Sequence, residues 1–255
     1  MKIATWNVNS VLARLPQVVQ WLEAANPDVL CMQETKCVDE RFPADEFSRL
    51  GYRSESFGQA AYNGVAILSR DKLEDVRRGL PDDEEGAQSR LLAATISGIR
   101  LVNVYVPNGQ AVGAEKYYFK LEWLRRLRAY LDSGCNQDGK VLLCGDFNIA
   151  PEDRDVHSPE LWRGRILFSE PEKEALEYVK QWGFVDAFRM HNQQDQQFSW
   201  WDYRAGAFRR NLGLRIDHMW MTQRLADECT SVIIDRTTRR WEKPSDHAPV
   251  VAEIG

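Results

Sequence analysis

Six places in this chain put oxygen- or nitrogen-bearing side chains where an apolar run stops. They are Asn7 with Asn9, Glu34, Tyr105, Asp146 with Asn148, Asp217, and Asp246 with His247. Oxygen ligands without a cysteine cluster suit Mg²⁺ or Mn²⁺ rather than zinc. Mg²⁺ keeps most of its waters and meets substrate phosphate oxygens. Phosphodiester hydrolysis needs an activated water, neutralised phosphoryl charge and help for the leaving oxygen. One metal on Glu34 and the Asp residues, an Asp base, a His, a Tyr and amides would supply all of these. Asp217 could hold the imidazole of His247, setting its tautomer and favouring its charged form. Taken singly, each residue has a plainer use. Asp-x-Asn at 146–148 is common in turns. His247 before Ala-Pro can be structural, Tyr105 can be packing, Glu34 can be solvated and Asn7 can be a turn former. The functional reading rests on the recurrence.

The elements that must position these residues can be read from periodicity. Val141 to Gly145 is apolar or small throughout and stops at Asp146, as a strand buried on both faces does. If it continues, Asp146 and Asn148 point to one side. Lys2 to Asn9 reads as a strand. Leu15, Val18, Val19 and Leu22 then mark a helix with Pro16 in its first turn. Val29 to Gln33 is a second buried strand, closed by Glu34. Residues around Phe42, Phe47 and Tyr52 suggest a short helix and loop, and Tyr62-Asn63-Gly64 a turn into Val65 to Ser69. Residues 79–90 hold Gly, Pro and four consecutive acids and read as an exposed loop. Leu91 to Ile96 and Ile99 to Val106 form a hairpin about Ser97-Gly98. Glu115 to Leu131 is the strongest helix, with Tyr117, Leu121, Leu124, Leu127 (or Arg128) and Leu131 inward. Ser169 to Glu172 is a capping box that starts another helix. Phe198 to Tyr203, Leu214 to Met221, Thr230 to Asp235 and His247 to Ile254 read as strands. Many neighbouring strands are joined by short turns. This favours two mixed or antiparallel sheets faced with helices over a doubly wound parallel sheet. No linker divides the chain, so one domain spanning 1–255 is expected.

Composition sets wider bounds. With 255 residues, 44% of them hydrophobic, and nine tryptophans, the chain can bury a large core. A net charge of −5 carries no global signal for nucleic acid, but local patches matter more than the sum. The five cysteines are odd in number and lack CxxC spacing, which fits a reducing cytoplasm. A strand at Lys2 leaves no room for a signal peptide, and no apolar run is long enough for a membrane span.

The stretches Trp6-Asn7-Val8-Asn9, Gln33-Glu34, Gly145-Asp146-Phe147-Asn148, Leu214-Arg215-Ile216-Asp217 and Ser245-Asp246-His247-Ala248-Pro249 together resemble the exonuclease III family. These are Mg²⁺-dependent apurinic/apyrimidinic endonucleases of the wider endonuclease/exonuclease/phosphatase superfamily. The resemblance runs in order from Lys2 to about Glu253. It implies a four-layered α/β sandwich, two sheets face to face with helices outside. It implies Glu34 as principal metal ligand, with Asn7, Asp246, Asp146, Asn148 and His247 also in the metal set and Asn9 nearby. Asp146 resembles the group that positions or deprotonates the attacking water, and Asn148 the transition-state stabiliser. Tyr105 and Asn108 resemble phosphate-facing residues, and Asp217 with His247 the Asp–His pair. Trp200, Leu214 and Ile216 match a pocket for a flipped, baseless deoxyribose. Trp201 stands where the family often has Phe. Arg90, Arg204, Arg209, Arg210 and Arg215 are candidates for backbone phosphates.

The resemblance implies a monomeric, cytoplasmic, bacterial-type repair enzyme on duplex DNA. It would cut 5′ to abasic sites and process 3′ ends. Two rivals are another phosphoesterase of the superfamily, acting on inositol phosphates, sphingomyelin or RNA, and a non-catalytic RNA-regulatory relative. The Trp200-Trp201 stretch argues against a lipid substrate. A non-catalytic relative should have lost metal ligands, and none is lost here.

Overall fold

A computed structural model describes residues 1–255. The strands are β1 (Lys2–Asn7), β2 (Val29–Gln33), β3 (Arg53–Phe57), β4 (Val65–Ser69), β5 (Glu74–Arg78), β6 (Leu91–Ile96) and β7 (Ile99–Tyr105). They continue as β8 (Val141–Asp146), β9 (Phe184–Asp186), β10 (Trp200–Trp201), β11 (Gly213–Leu214), β12 (Asp217–Thr222), β13 (Cys229–Ile234) and β14 (Val250–Ile254). One six-stranded sheet has the order β13-β14-β1-β2-β4-β3 and the other β5-β6-β7-β8-β12-β9, while β10 and β11 form a small ribbon. Each large sheet has a parallel pair at its centre, β1 with β2 and β7 with β8. A parallel pair needs a crossover, and helices Leu15–Ala25 and Glu115–Gly134 supply the two. Every other pairing is antiparallel.

Side-chain alternation sorts residues into layers. Along β8, Leu142 and Cys144 enter the core between the sheets, with Ile3, Cys31 and Ile67 of the first sheet and Leu101 and Met219 of the second. Val141 and Leu143 point the other way, onto Trp123, Leu127, Leu176 and Val179 of the outer helices. On the far side, Ala4, Trp6, Leu30 and Met32 meet Val18, Trp21 and Phe47. The result is helix, sheet, sheet, helix. Losing one such core leucine would cost about 2–5 kcal/mol.

Several expectations change in detail. The first strand stops at Asn7, because Asn9 and Ser10 turn to positive φ (46° and 86°). Edge strands β3, β5 and β9 were not expected. Two of them read Arg-Ser-Glu-Ser-Phe and Glu-Asp-Val-Arg-Arg, and such charged edges hide the apolar alternation that marks a strand. The loop at 79–90 buries Leu80, Ser89 and Arg90 at its ends. The expected strand at 198–203 shrinks to Trp200–Trp201, and the last strand begins at Val250 rather than His247. Leu121 is only half-buried on its helix, whereas Lys120 beside it is fully buried.

Candidate active site

The strand ends converge because of direction. β1, β2, β7 and β8 run their C-terminal ends to one rim, and the antiparallel β12 and β14 begin there. Register places Tyr105, Asp146 and Asp217 side by side on three adjacent strands. Asn7 pairs with Gln33, so Glu34 follows at the end of the other sheet. β14 lies antiparallel to β1, with Thr5 opposite Val250, which brings Asp246 and His247 back to the rim. The backbone bends at this edge. Gly145 has φ of 138°, and a Cβ there would stand 1.9 Å from the Val104 carbonyl oxygen, so the close approach of β7 and β8 requires glycine. Glu34 and Asn148 are left-handed (φ 52° and 51°), a conformation that costs non-glycine residues about 1–3 kcal/mol and clusters at functional sites.

The side chains form one network across both sheets. The Asn7 amide donates to Glu34 Oε1 and to Asp146 Oδ2, both at 2.8 Å, and its oxygen accepts from the Asn9 N–H. Asp146 Oδ1 accepts from the Asn148 N–H at 2.8 Å. Asn148 Oδ1 accepts from the Asn108 amide at 3.0 Å. His247 turns Nδ1 to Asp217 Oδ2 at 2.9 Å and Nε2 toward Asp146 Oδ2 at 3.7 Å. Ligand atoms of Glu34, Asp146 and His247 all lie within 4.8 Å of one another. Asp246 stands just outside, its oxygens taken by the Asn9 amide and the Trp200 indole N–H, each at 2.9 Å.

Carboxylates outnumber cations here, and protonation shows it. Burial pushes the Asp146 carboxyl up to about 7, although His247 pulls the other way. Burial opposes charging of His247, yet Asp217 and Asp146 outweigh it and hold the imidazole up at about 10. Burial, and then the charges of Glu34 and Asp146, push the Tyr105 phenol well up, so it stays protonated. Asp246 is held low: burial works against the charged form, but His247 and the Trp200 N–H prevail.

Two expected contacts are corrected, those of Trp201 and Arg215. Trp201 is fully buried, edge-on to Phe208 with ring centroids 5.1 Å apart, and its N–H meets Asn211. It is a core residue, because alternation along the two-residue strand leaves only Trp200 at the surface. Arg215 is buried against Asp155 and Asp186 and faces no phosphate. Arg90 is buried too. It lies over the Tyr105 ring at 4.7 Å and donates to the Tyr105 carbonyl at 3.0 Å. It borders a cleft of about 530 Å³ with Tyr105 and Asn108. Leu214 and Ile216 lie buried in a cluster with Ala150, Val156 and Phe168, against which Trp200 packs.

Other contributors were not among the expected site residues. Ser199 donates to Asp217 Oδ2 at 2.6 Å, and Ser245 donates to the Asn7 carbonyl at 2.7 Å. Lys36 pairs with Glu34 at 2.7 Å and reaches Asn9 Oδ1. Lys120 is wholly buried; its ammonium pairs with Glu172 and donates to the carbonyls of Asn108 (3.2 Å) and Asn148 (2.7 Å). The one sequence signal for this last group was a lysine on the apolar stripe of a long helix.

Comparison with known proteins agrees with the geometry. Residues 4–247 match the Endonuclease/Exonuclease/phosphatase family. The chain is 36% identical to Exodeoxyribonuclease III of Haemophilus influenzae, with 100% of both chains covered. It is 30% identical to the DNA repair nuclease APEX1 of Danio rerio, over 98% of this chain and 81% of that one. Among solved structures, the 3′ phosphatase NExo from Neisseria bound to product DNA hairpin superposes with a TM-score of 0.98 at 42% identity, covering 100% of this chain and 99% of that one. An AP endonuclease from Archaeoglobus fulgidus gives 0.96 at 42% identity, with the same coverage.

Proposed function

The chain belongs to the endonuclease/exonuclease/phosphatase family, and we propose that its rim is the active site of a Mg²⁺-dependent DNA-repair phosphodiesterase. It is a DNA-cleaving hydrolase of the exodeoxyribonuclease III type. The proposed reactions are incision 5′ to an abasic site, 3′-5′ exonuclease action and removal of 3′ blocking groups on duplex DNA, by a cytoplasmic monomer folded as one domain. One observation carries the reading: the meeting of Glu34, Asp146 and His247 within 4.8 Å.

The donor set fits a hard divalent cation. Glu34 and Asp146 offer carboxylate oxygens with no thiolate near, and Asn7 and Asp246 flank them. Bound Mg²⁺ would neutralise charge on the phosphoryl oxygens. The remaining work falls to the chain. Asp146, near neutrality, suits a base that orients and deprotonates the attacking water. His247, held by Asp217 and charged at neutral pH, serves as a charge-stabilising donor. Tyr105 keeps its proton and donates to the phosphate. Asn148 accepts from Asn108 and donates its amide to the Val106 carbonyl (3.1 Å) and to Asp146 Oδ2 (3.3 Å), and its proposed role is to turn that amide from Asp146 to the developing negative charge. Trp200, with Leu214 and Ile216 beneath it, forms the pocket for the sugar at the cut.

Purified protein with Mg²⁺ should cut a duplex bearing one abasic analogue, and shorten an undamaged recessed 3′ end, both stopped by EDTA. The ratio of the two rates measures the balance of activities. Absence of EDTA-sensitive cleavage of either substrate would refute the reading.

A further inference from the structure

Arg204, Arg209, Arg210, Arg236, Arg239 and Arg240 lie in the two segments that flank Trp201 and Asp246, on a chain whose net charge is −5. Their ion-pairing is unlike that of Arg126, Arg189 and Arg215, each of which sits on a carboxylate. A cavity of about 420 Å³ is walled by Phe208, Arg209, Arg236, Arg239 and Arg240, with no acidic side chain among them. Arg239 is only 7% exposed. Its terminal nitrogens donate to the carbonyls of Ser245 and Trp201, and its Nε has no partner. Arg236 and Arg239 both lie over the Phe208 ring, at 5.6 and 5.3 Å. Stacking on Phe208 and Trp201 accounts for these two arginines. It does not account for Arg209 and Arg240, which are exposed, stack on no ring and converge on the same cavity. Gathered guanidiniums without a counter-charge repel one another, and a planar guanidinium fork matches phosphate oxygens.

A chain of side-chain contacts links the cavity wall to the rim. The Arg239 guanidinium lies 5.7 Å from the Tyr203 ring. The Tyr203 hydroxyl accepts from Asn9 at 3.3 Å and from Arg14 at 3.2 Å. Asn9 in turn holds Asp246. We propose that this arginine-walled cavity docks a backbone phosphate of duplex DNA beyond the reacting nucleotide, holding the flank of the substrate by charge and without reading sequence. The inference rests on the function proposed above.

Its test is binding of a fluorescent duplex with a recessed 3′ end, measured by anisotropy from about 0.05 to 0.2 M salt. Arg209→Gln/Arg240→Gln changes only exposed side chains; Arg239→Gln is a second variant, which also loosens Trp201. The exposed pair should raise Kd about tenfold or more at low salt. It should make the slope of log K against log salt shallower by about 1–2, one unit per lost phosphate contact. KM for cleavage should rise with Kd. Arg49→Gln, which breaks an exposed pair with Glu46, should leave the slope unchanged. Unaltered affinity and slope in the double variant would overturn the proposal. So would loss of pyrophosphate binding with duplex binding intact, which would mark a free-anion site. If the wild-type protein cleaves nothing, the proposed function fails; if it cleaves and the double variant binds DNA like wild type, only the docking site fails.

Discussion

Asp146 and Asp155 are both buried carboxylates near the same strand ends, yet they live under opposite electrostatic conditions. Asp155 receives Arg215 Nε at 2.7 Å and Nη2 at 3.1 Å, and pairs with Arg189; Asp186 takes Arg215 Nη1 at 2.9 Å. Two guanidiniums answer two carboxylates. Burial alone would raise both acids, but the arginines outweigh it and hold both low. His218 beside them is pushed down to about 4 by burial and by Arg215, so it stays neutral. This network is closed. The rim is not: among Glu34, Asp146, Asp217 and Asp246, ion pairs within 4.0 Å reach only His247 and Lys36, and Asp246 has none. A buried pair missing one partner is costly, so an imbalance that persists marks a place where a ligand completes the charge. The arginine cavity has the reverse excess, as suits a polyanion crossing from one to the other.

The largest effect should come from breaking the open cluster. Asp146→Asn and His247→Asn should each lower turnover by about a thousandfold or more, as loss of a positioned base or charge-stabilising donor does. Steady-state kinetics at saturating duplex would check this, and a loss below tenfold would contradict the roles. Breaking the closed cluster should act on stability instead. Asp155→Asn leaves Arg189 without a carboxylate and Arg215 with Asp186 alone, and should cost about 3–5 kcal/mol in urea unfolding. Asp146→Asn, which removes an unbalanced carboxylate, should cost far less. Equal losses would erase the distinction.

A third effect concerns pH in EDTA. Asp146 has its folded value raised from 3.8 to about 7, and His247 from 6.5 to about 10. Both groups bind protons more tightly when folded, so their stabilisation is present at low pH and lost as pH rises. Between about pH 4 and 6.5 His218, lowered from 6.5 to about 4 on folding, opposes Asp146, so metal-free stability should fall mainly from about pH 6.5 to 10, and His247→Asn should remove most of that fall. Unfolding midpoints across pH would show it, and a rise over that range would reverse the assignment. The smallest effect separates the two tryptophans. Trp200→Phe removes the N–H on Asp246 and should raise the Mg²⁺ needed for half-maximal rate about tenfold, as loss of an outer partner does. Trp201→Phe should leave that requirement unchanged, since Trp201 faces the core.

Most of the site was legible because strand ends are legible. Apolar runs stop at Glu34, Asp146 and Asp217, and a stop in a period-2 pattern is a local feature. Two mixed sheets faced with helices followed from the same runs and the short turns between them, and the resemblance implied that they pack face to face. What stayed hidden has distant partners. Arg215 sits inside a recognisable motif and reads as a phosphate contact; its carboxylates stand at positions 155 and 186, and only packing joins them. Lys120 meets Glu172 from 52 residues away, and Ser199 meets Asp217 from 18. The edge strands were missed because their faces are polar.

The order of residues therefore settled which side chains reach the rim, since alternation and strand direction are set within a few residues. The chain's own pattern could not say which charges balance. Charge balance is a matter of distance and dielectric, and both exist only once the two sheets close on one another. Folding gave Asp155 its arginines, left Asp146 short of a cation, and gathered Arg209, Arg236, Arg239 and Arg240 around one cavity.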